Sequence, residues 1–341
     1  MRQLKIYTDC TLLPESDIHT YMLFPKLGNY LKSNKDPDSN RFDEFCLMAD
    51  QYFKFVESPE EADYFLLPFG FSFDQVYQKK MHSFLEKAKV YQKKTLVFYN
   101  SDDDSDIDLE NTILFRTSYY KSKQKINTHA LPGWSVDFVN YFENKNFTTL
   151  PYQASPSVSY CGYIDYEKQT LKGIVKSIIK SEPFSYELIA KKIRGKACRT
   201  IRNNASITSN FIIRNGFWAA GIEDKNIARA EYANNIISSL YSIATRGGGN
   251  FSYRLFEILS CGRIPIFINT DSILPFDSII NWKEHMVWIE ETDLNKIDQL
   301  VLDFHLCKTP QELIKIQESN RQLYIEYISP NGFFKNLNLI L

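Results

Sequence analysis

The sequence predicts an α/β protein built from two Rossmann-like units facing each other across a cleft. Three observations point there. Short continuous apolar runs alternate with helix-length amphipathic stretches, the alternation is interrupted once, and 341 residues suffice for two domains of about 150 residues each. Continuous apolar runs are the pattern of strands buried on both faces. Strands alternating with helices give βαβ units and hence parallel sheets.

The first series opens with a strand at residues 4–7 and a polar loop through Asp9, Glu15 and Asp17. Residues 58–63 (Ser-Pro-Glu-Glu-Ala-Asp) start a turn or short helix that leads into an apolar strand at 64–67. A helix is expected over 73–94, then strands at 95–99 and 113–116. The pattern breaks at 150–157, a Pro/Ser-rich stretch expected to be the interdomain linker. The second series has strands at 158–163, 210–213, 240–244 and 264–268, and helices within 166–202 and over 227–239. The expected division is one Rossmann-like domain over 1–152, a second over 153–310, and a C-terminal helical segment over 311–341 that packs back across both.

Lysine and arginine total 40 against 41 aspartates and glutamates, a formal net charge of −1 that argues against a dedicated nucleic-acid binder. With 44% hydrophobic and 24% charged residues the chain reads as an ordinary globular protein, which excludes disorder and coiled coil. Aromatic residues reach 15%, either filling a core or lining a cleft, with core the expectation. For Trp134, Trp218 and Trp282 core or cleft wall is expected. No segment approaches the roughly 20 apolar residues of a membrane span. The start of the chain lacks the apolar region of a signal peptide. The six cysteines lie at least 36 positions apart, so neither structural zinc nor a disulfide framework is expected. The expected location is the cytoplasm.

The most informative segment is Ala244-Thr245-Arg246-Gly247-Gly248-Gly249-Asn250-Phe251-Ser252-Tyr253-Arg254-Leu255-Phe256-Glu257. A buried strand runs into three glycines, a capping Asn or Ser, and a helix whose Phe251, Leu255, Ile258 and Leu259 share a face. Glycines let a ligand approach the backbone, and amides at a helix start favour an anion. Arg246 and Arg254 are candidates for charge-assisted bonds to phosphate, each worth roughly 1.5–3 kcal/mol, and Glu257 for bonds to ribose hydroxyls. The alternative is a surface turn in which Arg254 and Glu257 form an i,i+3 ion pair. The segment lacks the Gly-Lys-Ser/Thr ending of a P-loop and the third small residue of a dinucleotide fingerprint.

Residues 246–257, with the continuation Ile258-Leu259-Ser260-Cys261-Gly262-Arg263-Ile264-Pro265, resemble the nucleotide-sugar motif of exostosin-family glycosyltransferases. Leu274-Pro275-Phe276-Asp277, Ile280-Asn281-Trp282 and the stretch 58–68 fit the same family, while Phe115-Arg116-Thr117-Ser118 and Ala130-Leu131-Pro132 resemble its bacterial members. The resemblance implies a GT-B fold with the donor held mainly by the second domain. It also implies inverting transfer from a nucleotide sugar, usually a UDP-sugar, with no metal or other cofactor required. By position, Arg246 and the amides of Gly247, Gly248, Gly249, Asn250, Phe251 and Ser252 would face the diphosphate. Arg254 would support the phosphates, Glu257 would hold the ribose, and Gly162 would bring its strand close to the ligand. Ala244-Thr245 departs from the Leu-x-Pro often found before the arginine. A membrane anchor and the second transferase domain of animal heparan polymerases are not expected, so a heparan or plant-wall substrate is not the expectation.

An inverting transferase needs a base for the acceptor hydroxyl. Asp102 and Asp9 are the leading candidates, each following a first-domain strand, with His129 third; for each, the bland alternative is a solvated or capping side chain. The acidic run 101–108 is read as a solvated loop, not a metal site. Lys191, Lys192, Arg194, Lys196, Arg199 and Arg202 form a basic cluster, read as a solvated helix face or as a contact for a nucleotide or an anionic membrane. Arg214 is a further cleft cation. The expected partners are a nucleotide-sugar donor and a glycan or lipid-linked glycan acceptor, in surface-polysaccharide assembly. The rivals are a retaining transferase, a nucleotide-sugar epimerase, and a non-catalytic nucleotide-sugar-binding assembly partner.

Overall fold

In a computed structural model of the chain, residues 3–14, 18–33, 36–48, 51–164, 186–216 and 222–341 are described. Glu15, Asp17, Trp218 and the expected helix before residue 186 lie outside them. The chain divides into two compact units: Met1–Val136, Asp271–Ile280 and Leu323–Leu341 form the first, Asp137–Thr270 and Asn281–Gln322 the second.

The first unit carries strands β1 (Leu4–Tyr7), β2 (Phe53–Val56), β3 (Tyr64–Leu66), β4 (Thr95–Tyr99), β5 (Thr112–Arg116) and β6 (Thr128–Ala130). They form one parallel sheet in the order β2-β1-β3-β4-β5-β6. Every residue of β4 and β5 is buried, which is why their sequence is continuous rather than alternating. The helix Gln75–Val90 is capped by Asp74, whose carboxylate accepts from the Val76 amide at 2.8 Å. Met81, Phe84, Leu85 and Ala88 form its buried stripe. The aromatic excess fills the core here. Phe334, in the helix Pro330–Lys335, stacks on Phe45 at 4.5 Å and approaches Trp134 and Phe98, while Phe333 meets Trp134 at 5.4 Å. The Trp134 indole donates to the Ile328 carbonyl at 2.8 Å.

The second unit carries β7 (Ser157–Tyr163), β8 (Thr208–Arg214), β9 (Tyr241–Ala244), β10 (Ile264–Asn269) and β11 (Val287–Glu290), also all parallel, in the order β11-β10-β9-β7-β8. Its helices are Tyr186–Arg202, Lys225–Ile237, Tyr253–Ser260, Ile297–Leu306 and Pro310–Leu323. Trp282 is buried in this unit. The strands absent from the sequence expectation, β2, β6 and β11, all lie at sheet edges. An edge strand is covered less than a central one, so Phe53-Lys54-Phe55-Val56 and Thr128-His129-Ala130 show no continuous apolar run. Among the described residues no helix is long and apolar enough to cross a membrane.

The 150–157 stretch falls inside the second unit, whose border is at 136/137, and the segment beyond 310 is shared between the units rather than forming one piece. Hydrogen bonds explain the first difference. Gln317 bonds to the Leu150 amide and carbonyl at 2.8 and 3.0 Å, Ser155 donates to the Ser206 carbonyl, and His305 Nε2 meets the Gln153 carbonyl at 2.8 Å.

His305 is fully buried, with Nδ1 at 2.9 Å from the Tyr241 hydroxyl and its ring stacked on Tyr152. Burial lowers its pKa, against the opposing pull of the Gln153 carbonyl. The unfolded chain therefore takes up a proton near pH 6.5 that the folded chain resists, and stability falls as pH drops below that value. His305→Gln is expected to show a shallower loss of Tm between pH 7 and 5 than the unaltered chain; parallel curves would remove His305 from the pH response.

Candidate functional site

In open parallel sheets, ligands bind beyond the carboxyl ends of the strands, where the strand order reverses. In the second unit that point lies between β7 and β9: β7 connects onward to β8 on one side and pairs with β9 on the other. Strand β7 ends in Gly162-Tyr163, and β9 runs directly into Thr245-Arg246 and the three glycines. Sheet topology thus selects the same segment as the glycine pattern.

The loop is built, not slack. The Gly247 amide donates to the Phe251 carbonyl at 2.8 Å, closing the turn. Asn250 is buried and accepts from the Thr270 hydroxyl at 2.7 Å. Arg246 is only 5% exposed, and its guanidinium donates to the Gly248 carbonyl at 3.2 Å. The helix Tyr253–Ser260 follows, with Ser252 at its N-cap. It ends in a Schellman motif: the Gly262 amide donates to the Leu259 carbonyl, the Arg263 amide to the Ile258 carbonyl, and Gly262 adopts φ +61°. This turn sends the chain straight into β10. Arg263, 1% exposed, anchors it through the Ile237, Thr148 and Cys261 carbonyls. Burial pulls its pKa down to about 10.

Beneath the loop lies a buried polar network. The Arg254 guanidinium donates to the Cys161 carbonyl at 2.6 Å and to the Tyr232 hydroxyl at 3.0 Å, and lies 4.3 Å from the Tyr160 ring centroid. The Tyr232 hydroxyl donates to Glu257 Oε2 at 2.5 Å, and Arg229 donates to Glu257 Oε1 at 2.7 Å. Burial pushes the Tyr232 phenol well above its ordinary pKa, so it stays protonated and able to donate. The expected local alternative, an i,i+3 pair with Arg254, is not what engages Glu257: its ion pair is with Arg229. A ribose contact by Glu257 would have to use the remaining lone pairs of its two bonded oxygens. Arg214, at the end of β8, pairs with Glu231.

The three candidate bases lie in the first unit on different strands. Asp9 follows β1, beside the reversal in that sheet's strand order, and accepts from the Thr11 amide and hydroxyl at 3.1 and 2.6 Å. Asp102 is exposed in the loop after β4. Arg116 shapes that loop, donating to the Asp103 and Ser105 carbonyls at 2.8 and 2.9 Å. His129, on β6, is half-buried against Phe115; burial lowers its pKa while the Asp277 carboxylate raises it. Sites on β1 and β6 are four strand spacings apart, roughly 19 Å, so these are separate candidates rather than one constellation. The acidic run is a loop tied in part by Lys125, which pairs with Asp106 at 2.8 Å and Asp108 at 3.5 Å.

Residues 48–303, which include both the glycine loop and the buried network beneath it, match the Exostosin GT47 domain. The chain belongs to this exostosin family. It is 31% identical over 101 residues to the Exostosin-1 homolog of Caenorhabditis elegans, covering 29% of this chain and 25% of that one. It is 33% identical over 70 residues to a probable glucuronosyltransferase of Oryza sativa subsp. japonica, covering 20% and 17%. These alignments thus span a quarter or less of the relatives' own lengths. A glycosyltransferase structure from Rickettsia africae ESF-5 aligns with 100% of this chain and 98% of that one, at 12% identity and a TM-score of 0.45. The two parallel α/β units are those a GT-B exostosin fold requires.

In this exostosin domain Gly162 has a clear steric reason to be glycine: a Cβ there would sit 3.0 Å from both Arg254 Nη2 and the Tyr160 hydroxyl. Gly162→Ala is expected to cost about 1–3 kcal/mol, the price of overpacking, in urea unfolding. A neutral result would show that Arg254 can move aside. Arg229, Tyr232 and Tyr160 carry no motif visible in the sequence. Arg229 reads as an ordinary helix-surface arginine until the fold buries it.

Proposed function

We propose that this exostosin-family chain is an inverting glycosyltransferase that moves a sugar from a nucleotide sugar, a UDP-sugar in the first instance, to a hydroxyl of a surface glycan or lipid-linked glycan, without a metal. The observation that carries the proposal is the seating of Arg246 and the 247–252 loop at the strand-order reversal of the second sheet. There the Arg246 guanidinium and the loop amides would take up the negative charge that develops on the departing diphosphate. Arg254, Glu257, Tyr232 and Arg229 would hold the loop's helix in place from below. Asp102, Asp9 or His129 of the first unit would accept the acceptor's proton as its oxygen attacks the anomeric carbon from the face opposite the leaving group.

Thermal stability against UDP, GDP, CMP and dTDP, with and without EDTA, tests this. A saturating nucleotide is expected to raise Tm by a few degrees, and the rise should survive EDTA. No rise with any nucleotide would remove the donor site. A rise abolished by EDTA would remove the metal-free mechanism.

A further inference from the structure

The network beneath the glycine loop holds one group whose acceptor capacity is only half used. A carboxylate offers about four lone-pair sites on its two oxygens and donates nothing. Glu257 is 4% exposed, and among the described residues two side chains donate to it: Arg229 to Oε1 at 2.7 Å and the Tyr232 hydroxyl to Oε2 at 2.5 Å. One bond to each oxygen leaves a further site on each, in a place where polar groups are ordinarily satisfied.

The two donors are themselves fixed. The Tyr232 ring meets Phe138 edge-on at 5.9 Å, and the Arg229 guanidinium lies over the Phe138 ring at 4.7 Å. The Tyr232 hydroxyl accepts from Arg254 Nε at 3.0 Å, which turns its single hydrogen toward Glu257. Both carboxylate oxygens are therefore pinned. Tyr232 and Arg254 keep part of their surface, so the network is not sealed.

Position selects the group that fits. Glu257 lies four residues beyond Tyr253, the first residue of its helix, or about 6 Å along the axis. A nucleotide whose phosphates lie at the loop and helix start carries its ribose at a comparable distance. The 2′- and 3′-hydroxyls of a ribose are two adjacent donors, and they match two carboxylate oxygens with one open site apiece.

We infer that Tyr232 and Arg229 are positioning residues for nucleotide recognition: by pinning both oxygens of Glu257 they aim its remaining lone pairs at the ribose diol, so that the site takes ribonucleotides in preference to deoxyribonucleotides. The inference rests on the donor site proposed above and gives it a selectivity that involves two residues outside the glycine motif.

The test is calorimetric titration of the full chain with UDP, 2′-deoxy-UDP and inorganic pyrophosphate, comparing the unaltered chain with Tyr232→Phe and Arg229→Lys. The unaltered chain is expected to bind UDP at least about tenfold more tightly than 2′-deoxy-UDP, the effect of one hydrogen bond to a charged acceptor. Tyr232→Phe is expected to abolish that preference while leaving pyrophosphate affinity unchanged. Arg229→Lys keeps the counter-charge without the planar fork and should reduce the preference in the same sense. An undiminished preference in Tyr232→Phe would overturn the inference. Parallel losses of UDP and pyrophosphate in that variant would also overturn it, by showing that the hydroxyl only holds the helix. Equal binding of UDP and 2′-deoxy-UDP by the unaltered chain would remove the ribose contact and leave the donor site standing. If the unaltered chain binds none of the three, the donor site and the inference fall together. The Tm of each variant reports folding; should Tyr232→Phe fail to fold, the preference in Arg229→Lys decides alone.

Discussion

Arg246→Ala is expected to abolish the nucleotide-dependent rise in Tm and to weaken UDP binding by at least about 100-fold. The reasoning is additive: a guanidinium that makes two charge-assisted bonds to a diphosphate contributes roughly 3 kcal/mol or more, and every 1.4 kcal/mol is tenfold. Arg246→Lys keeps the charge but loses the planar fork, so an intermediate loss is expected. The Tm of ligand-free Arg246→Ala, read beside the titration, separates loss of binding from loss of fold. Unchanged UDP affinity in Arg246→Ala, measured by calorimetry, would sink the role assigned to this residue.

The second large effect is on stability. Glu257 is 4% exposed and is the carboxylate that balances Arg229, which is buried to the same degree, with Tyr232 and Arg254 chained to it. Glu257→Ala would leave that guanidinium buried without its counter-charge, and breaking such a pair costs about 3–5 kcal/mol. Urea unfolding should show this as a large fall in midpoint. Replacing Arg229 and Glu257 together by Met should recover much of the loss, because an apolar pair of similar size carries no desolvation penalty. A single-mutant cost below about 1 kcal/mol would mean that water reaches Arg229 when the carboxylate is gone.

The central strands and the glycine loop were legible in the sequence for one reason: each obeys a local rule. A strand buried on both faces must be apolar throughout, as Thr95–Tyr99 and Ile264–Asn269 nearly are, and a strand running into three glycines leaves few alternatives. The edge strands escaped because partial burial leaves mixed residues such as Lys54 and His129. The network under the loop escaped because it is assembled from β7 and two separate helices. Glu257 finds its counter-charge 28 positions back at Arg229, not one turn away at Arg254. The extent of the units was hidden for a related reason: a Pro/Ser-rich stretch looks like a linker wherever it lies, and it takes Gln317, His305 and Ser206, all distant in sequence, to show that this one is fastened down. The candidate bases remain three because the first unit sets them on separate strands.

The composition of the first unit has a consequence for how the protein is made. Leu323–Leu341 belongs to that unit and supplies Phe333 and Phe334 to its aromatic core, beside Phe115 and Phe98. On the ribosome these rings emerge after the whole of the second unit. At about 5–20 residues per second, the amino-terminal sheet waits tens of seconds for its final core residues. The first unit therefore starts before the second and is completed after it, and its unfinished apolar surface is what a chaperone would meet on the nascent chain. A truncation that removes residues 323–341 would not trim a dispensable tail; it would take Phe333 and Phe334 out from between Phe45, Phe98, Phe115 and Trp134, some 200 to 290 positions earlier in the chain.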